Sequence, residues 1–172
     1  FYYEPPSKHQ DKHFKGDVSA AYAWATQVVE VEVDTDTGIV TLLKVTGAHD
    51  VGRVLNRLGL EGQIEGGIVM GQGYALTEEL MVENGVVRNP GFRDYKLVTA
   101  PGIPEMDVRL IETLDRERPQ GAKDVRAAPA ICIAPAPTNA LENATRVHLP
   151  AQPSAPAQDY LRAPSAPGQS TQ

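Results

Sequence analysis

Several short stretches of this chain carry side chains whose types and spacing bear on chemistry. His9-Gln10-Asp11-Lys12-His13 sets two imidazoles four residues apart, a spacing that would bring both to one face of a helix. A zinc protease pattern needs Glu directly after the first His, and Gln10 stands there instead. Without that base or a clear third ligand, a solvated arm is the expectation. Gly71-Gln72-Gly73-Tyr74-Ala75-Leu76 begins like a dinucleotide fingerprint. It lacks the third small residue and falls inside a helical pattern, which argues against a Rossmann fold. Gly62-Gln63-Ile64-Glu65-Gly66-Gly67 lies near the start of that helix, where free N–H groups and the dipole favour an anion. Gln63 offers a donor and an acceptor at the same place. Gly121-Ala122-Lys123-Asp124-Val125-Arg126-Ala127 puts three charges in a loop before a hydrophobic helix, a position suited to lining a cleft. A phosphate loop ending in Gly-Lys-Ser/Thr and a Gly-x-Ser-x-Gly elbow are both absent, which excludes those nucleotide and hydrolase mechanisms.

The elements that must position these residues follow from hydrophobic period. Val29, Val31 and Val33 alternate with Glu30, Glu32 and Asp34, a half-buried strand. Asp34-Thr35-Asp36-Thr37-Gly38 is turn chemistry, and Ile39 to Val45 is a second strand, giving a hairpin over about 26–46. From Leu60 the period changes: Ile64, Gly67, Ile68, Gly71, Ala75 and Leu76 recur at three and four, which predicts a helix over 60–80. Four glycines inside it, Gly66, Gly67, Gly71 and Gly73, each cost about 1 kcal/mol relative to Ala. Close approach of a neighbouring backbone or of a ligand is the simplest reason for them. Asn84-Gly85 marks a turn with a short strand at Val86-Val87, Tyr95 to Val98 reads as an edge element, and 105–114 as another strand. A loop over 115–130 precedes a helix from Pro135 to about Ala144, with Pro135 and Pro137 fitting only its first turn. The order implies an α+β layer, helices packed on a small mixed or antiparallel sheet.

Three segments are expected: an arm over 1–17, a folded body over 18–149 and a Pro/Ala/Ser-rich tail over 150–172 that has little apolar surface to bury. The net charge of −6 and pI near 5.2 argue against nucleic-acid binding. No apolar run reaches the ~18 residues of a membrane span, and no signal-peptide pattern opens the chain, so a cytoplasmic location is expected. The first residue, Phe1, suggests a fragment or a processed chain. The lone Cys132 forms no internal disulfide and holds no iron–sulfur cluster, and it reads as a small buried residue between Ile131 and Ile133.

Three blocks taken together resemble a known family. They are Glu30 to Gly38; His49-Asp50-Val51-Gly52-Arg53-Val54-Leu55-Asn56 running into Glu61 to Gly67 and Gly71 to Glu79; and Gly121-Ala122-Lys123 followed by Ala134-Pro135-Ala136 and Asn139-Ala140. In this order they resemble the end of the large, molybdopterin-binding subunit of molybdenum hydroxylases, the xanthine dehydrogenase and aldehyde oxidase family, over roughly residues 18–162. The resemblance implies a multi-chain oxidoreductase that hydroxylates an aldehyde, an N-heterocycle or a related small molecule with water as oxygen source. It implies a molybdenum–molybdopterin cofactor, usually the cytosine dinucleotide in bacteria. Iron–sulfur (2Fe-2S) clusters and FAD belong on partner domains or chains, and the remainder of the large subunit is an obligate partner. By the same resemblance Gln63 bonds the pterin, Asn56 and Leu60 approach it, and Lys123, Asp124, Val125, Arg126 and Ala127 form the loop under the metal. The family loop reads Gly-Ala-Lys-Gly-Val-Gly-Glu. Here Asp124 and Arg126 replace the later glycines, and Ala127 stands where the family has its catalytic Glu. Pro137 likewise replaces what is usually an apolar helix residue. A methyl group accepts no proton, so the alternative is a non-catalytic scaffold, with Asp124 a weak substitute base set three residues early.

Overall fold

The computed structural model describes residues 2–19, 21–125, 128–149 and 153. Its centre is a three-stranded sheet in the order β1-β2-β5. β1 (Ala25–Val33) and β2 (Val40–Asp50) form the expected antiparallel hairpin. The turn closes on the Asp34 carboxylate, which accepts from the backbone N–H groups of Asp36 at 2.9 Å and Thr37 at 3.2 Å. A bulge then interrupts the ladder: Glu30 faces Lys44 and Val31 faces Leu42, which leaves Leu43 without a partner. The extra residue shifts the phase of β2, so Leu42 and Val45, three apart, are both buried. Strict alternation would have put one of them outside.

β5 (Glu105–Ile111) runs parallel to β2 on its other side, so the sheet is mixed. A parallel neighbour requires a crossover, here α1 (Arg57–Leu76) and the segment after it. Within that segment β3 (Val82–Glu83) and β4 (Val86–Val87) pair around Asn84 and Gly85, both at positive φ. Such a two-residue turn matches the natural twist of a hairpin. α1 starts and stops about a turn earlier than its pattern predicts. Asn56 caps it, its Oδ1 accepting from Gly59 N at 3.0 Å. The N–H groups of Thr77 and Glu78 both return to Gly73 O and end it. Ile64, Ile68, Ala75 and Leu76 join Leu42, Val45 and Val51 in the main core. Two further helices, α2 (Ala128–Ile133) and α3 (Pro135–Thr145), close the layer: α2 touches both α1 and β1, and α3 covers β1.

Several expectations are corrected. Tyr95 to Val98 forms no strand. Tyr95 Oη donates to Glu78 Oε2 at 2.8 Å, and Thr77 Oγ1 donates to Lys96 O at 2.8 Å, so side chains and not a ladder hold this stretch to the end of α1. β5 ends at Ile111, not 114. The loop expected to run to 130 gives way to α2 at Ala128, whose Pro129 sits in the first turn, where a missing N–H is harmless. His9 and His13 share no helix; Asp11 Oδ1 instead organises a turn, accepting from His13 N and Lys15 N. Among the described residues no three His, Cys, Asp or Glu side chains gather as a metal site. Cys132 is half-buried, and that burial pushes its thiol pKa up. The expected tail from Pro150 lies outside the described residues, Pro153 apart.

Four of the six glycines of α1 divide into two sets, while a Cβ on Gly73 would run into the Glu78 carboxylate. A Cβ on Gly67 would come within 2.6 Å of Pro129 Cβ, and one on Gly71 would run into Ile133 and approach Ala130 O at 2.9 Å. These two let α2 seat against α1. Gly62 and Gly66 meet nothing within 4 Å. Gly71→Ala is therefore expected to destabilise the chain by about 1–3 kcal/mol, overpacking outweighing the ~1 kcal/mol gained in helix propensity. Gly66→Ala should stabilise it by up to about 1 kcal/mol. Urea unfolding reads both, and a Gly71→Ala protein as stable as its parent would sink the close-contact account.

Candidate functional site

At the end of β2 the chain turns through Val51 and Gly52 and enters α1 at Asn56. Gly52 takes φ 61°, and a Cβ there would strike Gly121 O and lie 2.9 Å from Lys123 N. The close approach stitches two distant segments together. Arg53 N donates to Gly121 O at 2.8 Å, Lys123 N donates to Val51 O at 2.9 Å, and Gly52 bridges Ala122. Only glycine satisfies both the left-handed backbone and the missing space.

Side chains complete the joint. Lys123 Nζ donates to Asp50 Oδ2 at 2.6 Å, with the two side chains only 11 % and 9 % exposed. It also donates to Tyr22 O at 3.2 Å, and Asp50 Oδ1 accepts from Gly52 N at 3.1 Å. Burial pushes the Asp50 carboxyl up, but the Lys123 ammonium and the N–H donors around it outweigh that, and its pKa lies below the ordinary value. Beneath, His49 is 1 % exposed. Gln27 Nε2 reaches both His49 Nε2 and Pro129 O at 3.1 Å, linking β1, β2 and the start of α2. Burial holds the imidazole pKa down, so it is neutral, with Nε2 as acceptor and the proton on a buried Nδ1 that has no partner.

The structure sorts the residues singled out from the sequence. Asn56 and Gln63 are exposed and two turns apart on α1, with half-buried Leu60 between them. Asn56 Oδ1 is engaged as the helix cap. Lys123 is turned onto Asp50, and Val125 is 5 % exposed in the main core, so both hold the loop in place. Asp124 is exposed, and it is not among the residues at left-handed φ, so its replacement of a family glycine imposes no backbone strain. Arg126 and Ala127 lie outside the described residues. Sequence reasoning missed Asp50 as the partner of Lys123 and Gln27 as the partner of His49. Gly52 was a readable signal for the tight joint; a salt bridge across 73 residues left none.

The sequence model of the molybdopterin cofactor-binding domain matches residues 1–104. The chain belongs to this family. The chain is 36 % identical over 140 residues to the xanthine dehydrogenase molybdenum-binding subunit of Escherichia coli O157:H7, covering 80 % of this chain and 19 % of that one. It is 33 % identical over 130 residues to isoquinoline 1-oxidoreductase subunit beta of Brevundimonas diminuta, covering 76 % and 16 %. Among solved structures, the aldehyde oxidoreductase from Desulfovibrio gigas superposes with a TM-score of 0.83 at 27 % identity, covering 91 % of this chain and 17 % of that one. The chain thus spans about a fifth of the length of the relatives it matches.

The residues present fit a molybdopterin group. Gly62 and Gly66 leave an open strip on α1 beside Gln63. Gln63 stands in the second turn of α1, past the unpaired N–H groups of the helix start, and its exposed amide offers a neutral donor and acceptor to a polar heterocycle. No carboxylate lies in the first turn of α1 to oppose an anion.

Lys123→Met should cost about 3 kcal/mol, because it leaves a nearly buried carboxylate unpaired, and Asp50→Asn made with it should recover part of that loss. A double-mutant cycle by urea unfolding checks this, and additive effects would rule the pair out as a coupled unit. His49 supplies a pH signature. Its folded pKa lies below its ordinary 6.5, so the unfolded chain takes up a proton first and stability falls as pH drops below about 6.5. His49→Gln should flatten that slope, and an unchanged profile would assign it to other groups. Asp50 adds a second loss at lower pH: its contribution is present above the ordinary 3.8 and disappears as pH falls through its depressed value.

Proposed function

We propose that this chain forms one wall of a molybdenum–molybdopterin site in a larger molybdenum hydroxylase, an oxidoreductase acting on an aldehyde, an N-heterocycle or a related small molecule. The observation that carries the reading is the open face of α1: Gln63 exposed beside Gly62 and Gly66, which none of the described residues fills. When bound, the cofactor supplies the redox centre at which the substrate carbon gains an oxygen from water. Gln63 holds the pterin by hydrogen bonds, and Asn56 and Leu60 frame the entry to the same face. The Asp50–Lys123 pair and buried Val125 fix the loop that leads toward position 127. The reading extends to the cytosine dinucleotide form of the cofactor, and to 2Fe-2S clusters and FAD on other domains or chains.

Partners are supported by what the folded body over 18–149 leaves uncovered. Leu58, Met70 and Tyr74 on α1 are 82 %, 69 % and 64 % exposed, and Leu80, Val82 and Val86 around the β3-β4 hairpin exceed half exposure. An apolar surface of this extent marks an interaction site, and the remainder of the large subunit is the partner it fits. Among the described residues no helix is long and apolar enough to cross a membrane.

Position 127 is the chemical question. Ala127 accepts no proton, and Asp124, although exposed, lies three residues earlier. The general base must therefore come from Asp124 or another chain, or the subunit is a scaffold. Elemental mass spectrometry of the natively purified complex tests the main reading: about one molybdenum per chain is expected, falling several-fold in Gln63→Ala, as the loss of one or two hydrogen bonds predicts. Absence of molybdenum from a folded complex made in cells that produce the cofactor would overturn it. With molybdenum present, Ala127→Glu should raise hydroxylase turnover by about a hundredfold or more if only the base is missing.

A further inference from the structure

In this acidic chain six of the fourteen described lysine and arginine side chains sit on carboxylates. Lys44 pairs with Glu105, Arg57 with Glu61, Arg88 with Glu83, Arg109 with Asp107 and Lys123 with Asp50. Arg53, Arg116 and Arg118 do not: among the described residues none of the three makes an ion pair, although acidic residues outnumber basic ones by 22 to 16. All three line a single cavity of about 660 Å³ beyond the ends of β2 and β5. Arg118 lines it with its Nε withdrawn from solvent and without a hydrogen-bond partner. A charged donor in that state is costly unless something accepts from it.

Two carboxylates share the wall, and both already serve the backbone. Glu112 Oε2 accepts from Val54 N at 3.1 Å, and Asp115 Oδ1 accepts from Glu117 N at 2.9 Å. The floor is rigid. Gln120 and Gly121 take successive left-handed conformations, φ 58° and 75°, and Gly121 O accepts from Arg53 N, which ties one arginine to the loop bearing the other two. Strain of this kind in a non-glycine residue persists only where the surroundings enforce it.

We infer that this cavity is an oxyanion site that takes the phosphate group of a nucleotide-sized ligand. Guanidinium groups match phosphate oxygens as planar forks, and the volume lies in the range of small-molecule pockets. The phosphate has two possible sources: a free phosphate-bearing small molecule or the phosphate arm of the molybdenum cofactor, since the cavity and the loop running to Lys123 share Gly121. The site itself does not depend on the molybdenum reading.

Pyrophosphate titration by calorimetry at low salt, on protein purified from cells that make no molybdenum cofactor, tests it. Saturable binding is expected, weakened about tenfold or more by Arg116→Gln with Arg118→Gln, partly kept by Arg118→Lys, and unchanged by Arg88→Gln on the β3-β4 hairpin. Molybdenum content of the same double variant from cofactor-producing cells then separates the sources: a matching fall assigns the phosphate to the cofactor, and full content assigns it to a free ligand. No saturable pyrophosphate binding by the folded parent, or binding indifferent to both substitutions, overturns the proposal.

Discussion

A lysine and an aspartate, 73 residues apart and almost withdrawn from water, hold the working end of this molecule together. Two unpaired charges in such a place would be strongly destabilising, so the pair forms only if the end of β2 and the loop at 121–125 meet with the right backbone. Gly52 makes that meeting possible, because its left-handed turn brings Gly121 O to where a side chain would otherwise sit. Once the joint closes, several consequences follow from geometry alone. The exit of β2 is aimed at the cap of α1, and Val125 is driven into the core. Tyr22 O and Gly52 N complete the polar contacts of the two side chains.

α1 transmits this order in two directions. Its inner glycines, Gly67 and Gly71, let α2 approach closely enough for Ile133 to enter the main core. Its outer glycines, Gly62 and Gly66, face open space and pack against none of the described residues. Glycine weakens a helix wherever it stands, so a helix that carries it on both faces is built to be approached from both sides. One approach comes from α2, and the other face stays open among the described residues. The same outer side of α1 presents Leu58, Met70 and Tyr74 to solvent among its polar residues.

Much of this was legible in the chain itself, and the failures have physical causes. Alternation in Val29, Val31 and Val33 gave the hairpin because one face of β1 is half-buried throughout. The bulge at Leu43 was invisible, since an unpaired residue within an apolar run carries no periodic mark. The stretch from Tyr95 looked like a strand by residue type, but two side-chain hydrogen bonds to the end of α1 decided its path. α2 was hidden by Pro129, which reads as a breaker unless the first turn is already known. Gln63 and Asn56, singled out by resemblance, lie exposed two turns apart at the start of α1, whereas the pairing of Lys123 with Asp50 left no mark in the sequence.

The departure of the loop from the family pattern takes on a definite meaning in this frame. Lys123 and Val125, the residues that fasten the loop, are kept, and their side chains are buried where fastening requires it. Asp124, one of the two residues that replace glycine, points to solvent with no left-handed backbone to resist it, so the frame tolerates a side chain there. Anchoring and chemistry are thus separable at this loop: the joint depends on Asp50, Gly52, Lys123 and Val125, and none of them is the residue that would move a proton. A chain under selection only to keep its fold could lose the acid at 127 without disturbing any of these contacts. A chain that acquired a different base could lose it equally well. The joint therefore fixes where the loop stands up to Val125, and the identity of residue 127 bears only on chemistry.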